Sequence, residues 1–243
     1  MNTFIYDGSY EGLLSVIFES FTLKTTPNAI VSKKEFQSEW LETAIPIETN
    51  EEKANELLTR LEACSSNAVE TVMKAFLSEQ PEIELVIFHY CKHLISAKGK
   101  AEDPSNPFVL QLKKLKKQLD QETQRMQAFV RFQKTADDIH YANIDPDFNV
   151  LPLIGDHFEK RYPNQKWMIF DTKRNYGLYY DLEKTTYIKI NEIQINLRTE
   201  KENSYQSLWK NYFESTNTRE RKNVKFHLQQ LPKKNWKYLP EKI

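Results

Sequence analysis

Cysteine and glycine are both scarce in this chain. Cys64 and Cys91 are the only cysteines among 243 residues. Two distant thiols make no disulfide framework and fit a reducing, cytoplasmic setting. They also exclude an iron–sulfur cluster and a four-cysteine zinc site. With only 5 glycines, glycine-built machinery is disfavoured. No run approaches the ~18 apolar residues that a membrane span needs. The opening residues, Met1 to Gly8, lack a basic stretch followed by an apolar one, so no signal peptide is expected. Neither sign of charge is in excess, because Lys+Arg and Asp+Glu both number 34. A neutral sum disfavours a nucleic-acid protein at first sight.

What is present is the composition of a folded globular protein, 40% hydrophobic and 28% charged. Aromatic side chains are plentiful, with 14 Phe, 12 Tyr and 4 Trp. They supply core volume and potential stacking surface. The neutral charge is also unevenly spread. Residues 1–100 carry 9 basic and 15 acidic side chains, residues 101–200 carry 15 of each, and residues 201–243 carry 10 and 4. A net of −6 at one end and +6 at the other keeps a local nucleic-acid surface open.

The pattern along the chain predicts elements of both kinds. Thr3–Tyr6 reads as a strand, and Asp7-Gly8-Ser9 as a turn able to cap the next helix. Leu13, Leu14, Ile17, Phe18 and Phe21 follow at helical spacing. A second short strand is expected at Thr43–Ile47. Thr49 and Glu52 stand at capping-box spacing before a helix. Further helices are expected from Ser66 and from Pro81, the latter apolar all round and therefore buried. Residues 98–107 hold Gly99, Pro104 and Pro107 among polar residues and mark the best domain boundary. This gives regions 1–100 and 101–243, with one continuous domain as the alternative. A helix with Leu112, Leu115 and Leu119 inward follows, its Lys113, Lys114, Lys116 and Lys117 reading as a solvated face. From Met126 the period becomes two, so Met126–Phe132 reads as a strand with Ile139–Ile144 as its hairpin partner. A helix over Val150–Tyr162 precedes strands at Lys166–Asp171 and Tyr176–Asp181, and Tyr187–Leu197 reads as short strand or loop. A last helix is expected from Asn203, and a basic tail from Arg219. The expected class is α+β: an N-terminal helical region, a central, mainly antiparallel sheet of β-β-α-β-β type, and a C-terminal helix.

Four blocks carry a resemblance: Tyr6 to Leu14 (YDGSYEGLL), Met126 to Phe132 (MQAFVRF), Asn149 to Phe158 with Trp167 to Asp171, and Leu231 to Leu239 (LPKKNWKYL). In this order the set resembles a bacterial family described in general terms as DNA metabolism or repair proteins, otherwise carried as a domain of unknown function. The resemblance implies a genomic neighbour, a radical-SAM protein of DNA modification or repair. It also implies that some relatives are fused to a uracil-DNA-glycosylase-type domain. Two separated cysteines cannot hold a radical-SAM cluster, so this chain is expected to be the stand-alone partner. One position departs from the family pattern: Gln124 stands where a His often precedes the Arg-Met pair, and Gln cannot move a proton as a base.

Candidate site residues fall into four groups. Arg219, Arg221, Lys222, Lys225, Lys233, Lys234 and Lys237, interleaved with Phe226, Trp236 and Tyr238, form a candidate nucleic-acid surface. Cations neutralise phosphates, and aromatic faces stack on unpaired or damaged bases. A solvated face with core aromatics is the alternative. Asp147, His157 and Asp171 form a candidate catalytic set, within a polar cluster that adds Arg131, Tyr141, Asp145, Asn149, Arg161 and Arg174. Carboxylates with a His can hold a divalent ion or move a proton. Pro146-Asp147 followed by Asp171-Thr172-Lys173 mimics a metal-nuclease pattern, although a helix is expected to intervene. Turn-forming Asp and surface ion pairs explain the same residues. His89 and His93 on one helix face have zinc spacing, but Cys91 points elsewhere and the usual Glu is missing, so core histidines are the better account. Asp7-Gly8-Ser9 reads as a helix cap or as an anion site at a helix N-terminus.

No cofactor or metal is expected from these residues. The leading function is a DNA metabolism or repair accessory protein that binds nucleic acid, the radical-SAM partner, or both. The rivals are an enzyme centred on Asp147, His157 and Asp171, either a metal-dependent nuclease or a base-acting enzyme, and a protein-interaction module without DNA contact.

Overall fold

The computed structural model describes residues 2–36, 43–96, 103–135 and 138–189, together with Trp236 and Tyr238. The class is α+β, as the element pattern predicts. Two units are distinguishable, Met1–Leu119 and Asp120–Ile243.

The first unit is built around one strand buried on both sides. In β1 (Asn2–Tyr6), residues Thr3 to Tyr6 are all buried. That is the signature of a central parallel strand. Its neighbours are β2 (Ala29–Ser32) and β3 (Thr43–Pro46), both parallel, in the order β2-β1-β3. Phe4 stands opposite Ile30 on one side and Ile45 on the other. Four-residue β2 is too short for a periodic signal, and it was absent from the expected elements. Around this sheet lie α1 (Tyr10–Thr22), α2 (Glu51–Cys64), α3 (Ala68–Leu77) and α4 (Ile83–Ser96). Residues Ile83, Ile87, Phe88, Tyr90, Cys91 and Leu94 bury most sides of α4.

Helix α2 starts differently from its predicted capping box. Asn50 is the cap, and its Oδ1 accepts the Lys53 N–H at 3.0 Å. Thr49 instead donates its hydroxyl to Asp7 Oδ2 at 2.7 Å. The Asp7 carboxylate fixes the orientation of the Thr49 hydroxyl by accepting its proton, and the amide oxygen of Asn50 serves as the acceptor for the helix N–H instead.

The largest correction concerns α5 (Pro107–Phe129). The predicted strand at Met126–Phe132 is the end of this helix and the loop that follows it. Leu112, Leu115, Leu119, Glu122 and Met126 are all buried and continue one helical stripe. No Gly or Pro occurs from Phe108 to Val130 to end it. Burial of that stripe outweighs a local alternation of only a few residues.

The second unit holds a five-stranded sheet in chain order, β4 (Gln133–Lys134), β5 (His140–Ile144), β6 (Trp167–Asp171), β7 (Tyr176–Tyr180) and β8 (Thr185–Lys189). Every neighbouring pair is antiparallel except β5 and β6. A parallel pair needs a crossover, and α6 (Leu151–Arg161) supplies it, with Pro152 in its first turn. Gly155 permits α6 to lie close on the sheet: a Cβ there would stand 3.3 Å from Leu178 Cδ1. Trp167 is fully buried, stacked on Tyr180 at 5.5 Å and edge-on to Phe158 at 6.1 Å. Phe132 meets both Phe158 and Tyr162 at 5.5 Å. Strand β8 begins two residues ahead of the expected Tyr187. The predicted C-terminal helix lies outside the described residues. No helix among those residues is long and apolar enough to cross a membrane.

Candidate functional site

Strands β5 and β6 run parallel, so their C-terminal ends share one edge of the sheet. Ile144 and Asp171 are register partners there. Asp171 is fully buried, and its carboxylate is saturated. Oδ1 accepts the backbone N–H groups of Lys173 at 2.9 Å and Arg174 at 3.1 Å. Oδ2 takes Arg174 Nη1 at 2.9 Å. The first two bonds shape the β6–β7 turn, in which Asn175 has φ 56° and donates its N–H to the Asp171 carbonyl.

Arg174 reaches beyond its own turn. Nη1 donates to the Pro146 carbonyl at 3.3 Å, and Nη2 to the Asp147 carbonyl at 3.1 Å. Lys173 Nζ also donates to the Asp147 carbonyl, at 3.0 Å. From the other side, the Asp147 N–H donates to Glu122 Oε1 at 3.1 Å. Glu122 is buried on α5 and paired through Oε2 with Arg125 at 3.3 Å. The β5–α6 connection is therefore gripped between the β6–β7 turn and α5. Nearby, Tyr176 donates its hydroxyl to Asn149 Oδ1.

The three candidate catalytic residues do not act on one another here. Asp171 is committed to Arg174 and the turn amides. Asp147 is exposed, and its backbone serves the clamp. His157 lies half-buried on α6, its ring edge-on to Phe158 at 5.1 Å. No hydrogen bond or ion pair joins these three side chains. Among the described residues no group of three or more His, Cys, Asp or Glu is placed to hold a metal ion.

The polar cluster divides in the same way. Arg174 and Asn149 belong to the clamp. Arg131 donates Nη1 to the carbonyls of Ala128 and Val130 at 2.9 and 3.3 Å, finishing the C-terminus of α5. Arg161 lies over the Tyr162 ring at 5.7 Å. Tyr141 donates its hydroxyl to Asn143 Oδ1 at 2.5 Å, and burial pushes that phenol up. Asp145 is half-buried in the connection after β5.

Of the basic C-terminal set, Arg219, Arg221, Lys222, Lys225, Lys233, Lys234 and Lys237 lie outside the described residues. Trp236 and Tyr238 are both half-buried. The Tyr238 hydroxyl shares a hydrogen bond with Thr172 Oγ1 at 3.1 Å, and Thr172 also donates to the Ile144 carbonyl at 3.2 Å. Tyr238 thus touches the same sheet edge as the clamp.

In the first unit, Ser9 caps α1 by accepting the Gly12 N–H at 2.9 Å. Asp7 accepts from the Ser9 N–H at 2.8 Å and the Ser9 hydroxyl at 2.6 Å. Burial opposes its ionisation, but these bonds and that from Thr49 outweigh it and hold the carboxyl below its usual range. The helix N-terminus already faces a carboxylate, which is the cap reading of this turn. Gly12 is required beneath it, since a Cβ there would overlap Asp7 Oδ1. His89 stacks on Phe108 at 4.7 Å, with burial and then Lys92 lowering its pKa. Cys91 is fully buried, and burial pushes its thiol up. A cleft of about 370 Å³ has Phe21, Phe88, Lys24 and Lys92 among its lining residues. Both lysines stand near helix C-termini, where a cation is favoured whatever else is present.

Glu122 is the clamp residue that sequence reasoning missed. Its signal was available: an acid three residues after Leu119 and four before Met126 occupies an apolar stripe, where a carboxylate needs a buried partner.

These features define an α+β protein in which a polar clamp ties the β6–β7 turn to the β5–α6 connection. The chain belongs to DUF4130, a domain of unknown function, whose family model matches residues 81–241. That range covers α4, α5 and the whole five-stranded sheet, and leaves β1 to β3 outside. Comparison with curated proteins gives no match.

Proposed function

We propose that this chain is a DNA metabolism or repair accessory protein that binds nucleic acid, a radical-SAM partner, or both. The observation that carries the reading is the charge profile: the −6 of residues 1–100 against the +6 of residues 201–243. Opposite ends of opposite sign suit two different partners, one basic and one polyanionic. The resemblance of the four sequence blocks to DNA metabolism and repair proteins supplies the biological class. The contact of Tyr238 with Thr172 supports it by tethering part of the basic, aromatic segment to the sheet.

The enzyme reading has no comparable support. The carboxylate of Asp171 is engaged by Arg174, and a general acid or base must be free to exchange its proton with substrate.

Two measurements test the proposal. Affinity for short DNA should fall steeply as salt rises, because bound phosphates release counterions. Co-purification with the neighbouring radical-SAM protein, with bound nucleic acid assayed in the same sample, should recover a complex. Salt-independent or absent DNA binding together with no recovered partner sinks the reading.

A further inference from the structure

We infer that the β7–β8 hairpin is a stacking surface for single-stranded nucleic acid, with Tyr187 as its base platform. This rests on the nucleic-acid reading above and gives it a location among described residues.

The argument begins with exposure. Leu182 and Tyr187 are exposed large apolar side chains of the second unit, and both lie on the β7–β8 hairpin. Tyr187 is 63% exposed, on a paired strand rather than a loop. Its ring lies 6.2 Å from that of Tyr176, tilted by 33°. Tyr176 is fixed in turn by its hydroxyl bond to Asn149. The platform is therefore backed and pre-oriented, which lowers the ordering cost of binding.

The charge beside it suits a phosphate chain. Tyr176 pairs with Lys189 and Leu178 with Tyr187, so Tyr187 and Lys189, two apart on β8, share a face. Lys189 is exposed and has no partner among the described residues. Asp156 on α6 is close enough to Tyr187 to oppose negative charge beside it. Lys189, on the same face of β8, offers a phosphate of a strand stacked on Tyr187 its nearest strand-borne cation. Bases in a duplex already stack on each other, so a protruding phenol ring selects unpaired nucleotides.

The test uses the full chain and a fluorescein-labelled oligothymidylate, read by anisotropy beside its duplex with oligoadenylate. Tyr187→Ala and Tyr187→Leu should each weaken single-strand binding roughly tenfold, with duplex binding changed less than twofold. Tyr187→Trp should retain single-strand affinity, and Lys189→Glu should lower both the affinity and its salt slope. Tyr187→Leu keeps apolar volume, so a loss shared with Ala but not with Trp reports stacking rather than folding. Wild-type binding that Tyr187→Ala leaves intact overturns this inference and spares the functional reading. Wild-type protein that binds neither probe at low salt overturns both.

Discussion

The two units solve the same problem, a sheet that must be covered, with different materials. The first, Met1–Leu119, buries its central strand in a mainly apolar core in which Leu13, Leu14, Ile17, Leu57 and Ile87 pack beside Phe4 and Phe88. The polar bonds described there lie mainly at helix ends, as with Ser9 and Asn50. The second, Asp120–Ile243, relies on an aromatic cluster around Trp167 and on a buried ion pair, Asp171–Arg174, with side chains 0% and 8% exposed. Its parallel pair among the described strands, β5–β6, brings two strand ends to one edge, where backbone carbonyls need donors. Arg174 supplies them to Pro146 and Asp147. The lesson is that apolar packing tolerates gradual change, whereas a polar clamp fails when one member is removed.

The sharpest way to break this contrast is to remove Arg174. Arg174→Ala leaves the Asp171 carboxylate buried without its cation, at a cost of about 3–5 kcal/mol. Hydrogen exchange should show protection lost across β5 to β8 while β1 stays protected; equal loss in both would refute the separation. Next in size is Glu122→Ala, which deprives the partly exposed Arg125 and the Asp147 N–H of this acceptor, at about 1–3 kcal/mol. Chemical denaturation should register it, with Glu122→Gln milder because one acceptor oxygen remains. In the first unit, Ser9→Ala removes a helix cap at about 1 kcal/mol. A comparable loss on replacing Ser9 and Arg174 would erase the difference between the units.

The smallest expected effect is a pH response in the first unit. Glu84 accepts the Tyr6 hydroxyl at 3.0 Å, and burial raises its carboxyl above the usual range. A raised acid stabilises the fold while protonated, and that contribution is lost as pH climbs through its shifted value. Glu84→Gln imitates the protonated form. The variant should melt slightly higher than wild type at neutral pH, and the two should converge below the carboxylate range. A gap that widens on acidification would contradict the sign.

Much of this architecture was readable from residue order. The periodic leucines of α5, the buried face of α4 and the strand runs at Trp167–Asp171 and Tyr176–Tyr180 all carry strong local patterns. Three features were hidden for identifiable reasons. Strand β2 has four residues and forms only because β1 offers a parallel edge. The C-terminal turns of α5 resemble a strand until the burial of Glu122 and Met126 is known. The clamp was half visible: Asp147 and Asp171 stand in the candidate catalytic set and Arg174 in the polar cluster around it, but spacing cannot tell a free carboxylate from one held by a guanidinium. The bond from Arg174 to Asp171 makes that distinction, and the reach of Arg174 to carbonyls 27 and 28 positions away has no local pattern to announce it.

Those separations bear on the order of assembly. The β6–β7–β8 meander pairs neighbours in sequence, and Asp171 shapes its first turn using residues two and three positions on. The carbonyls of Pro146 and Asp147 become available to Arg174 only after α6 has closed the crossover. Local contacts form before long loops are closed, so the meander is expected to precede the clamp. Removing the Arg174 side chain should then accelerate unfolding far more than it slows refolding. The clamp works as a latch set last, guarding the lifetime of the folded sheet rather than the speed of its formation.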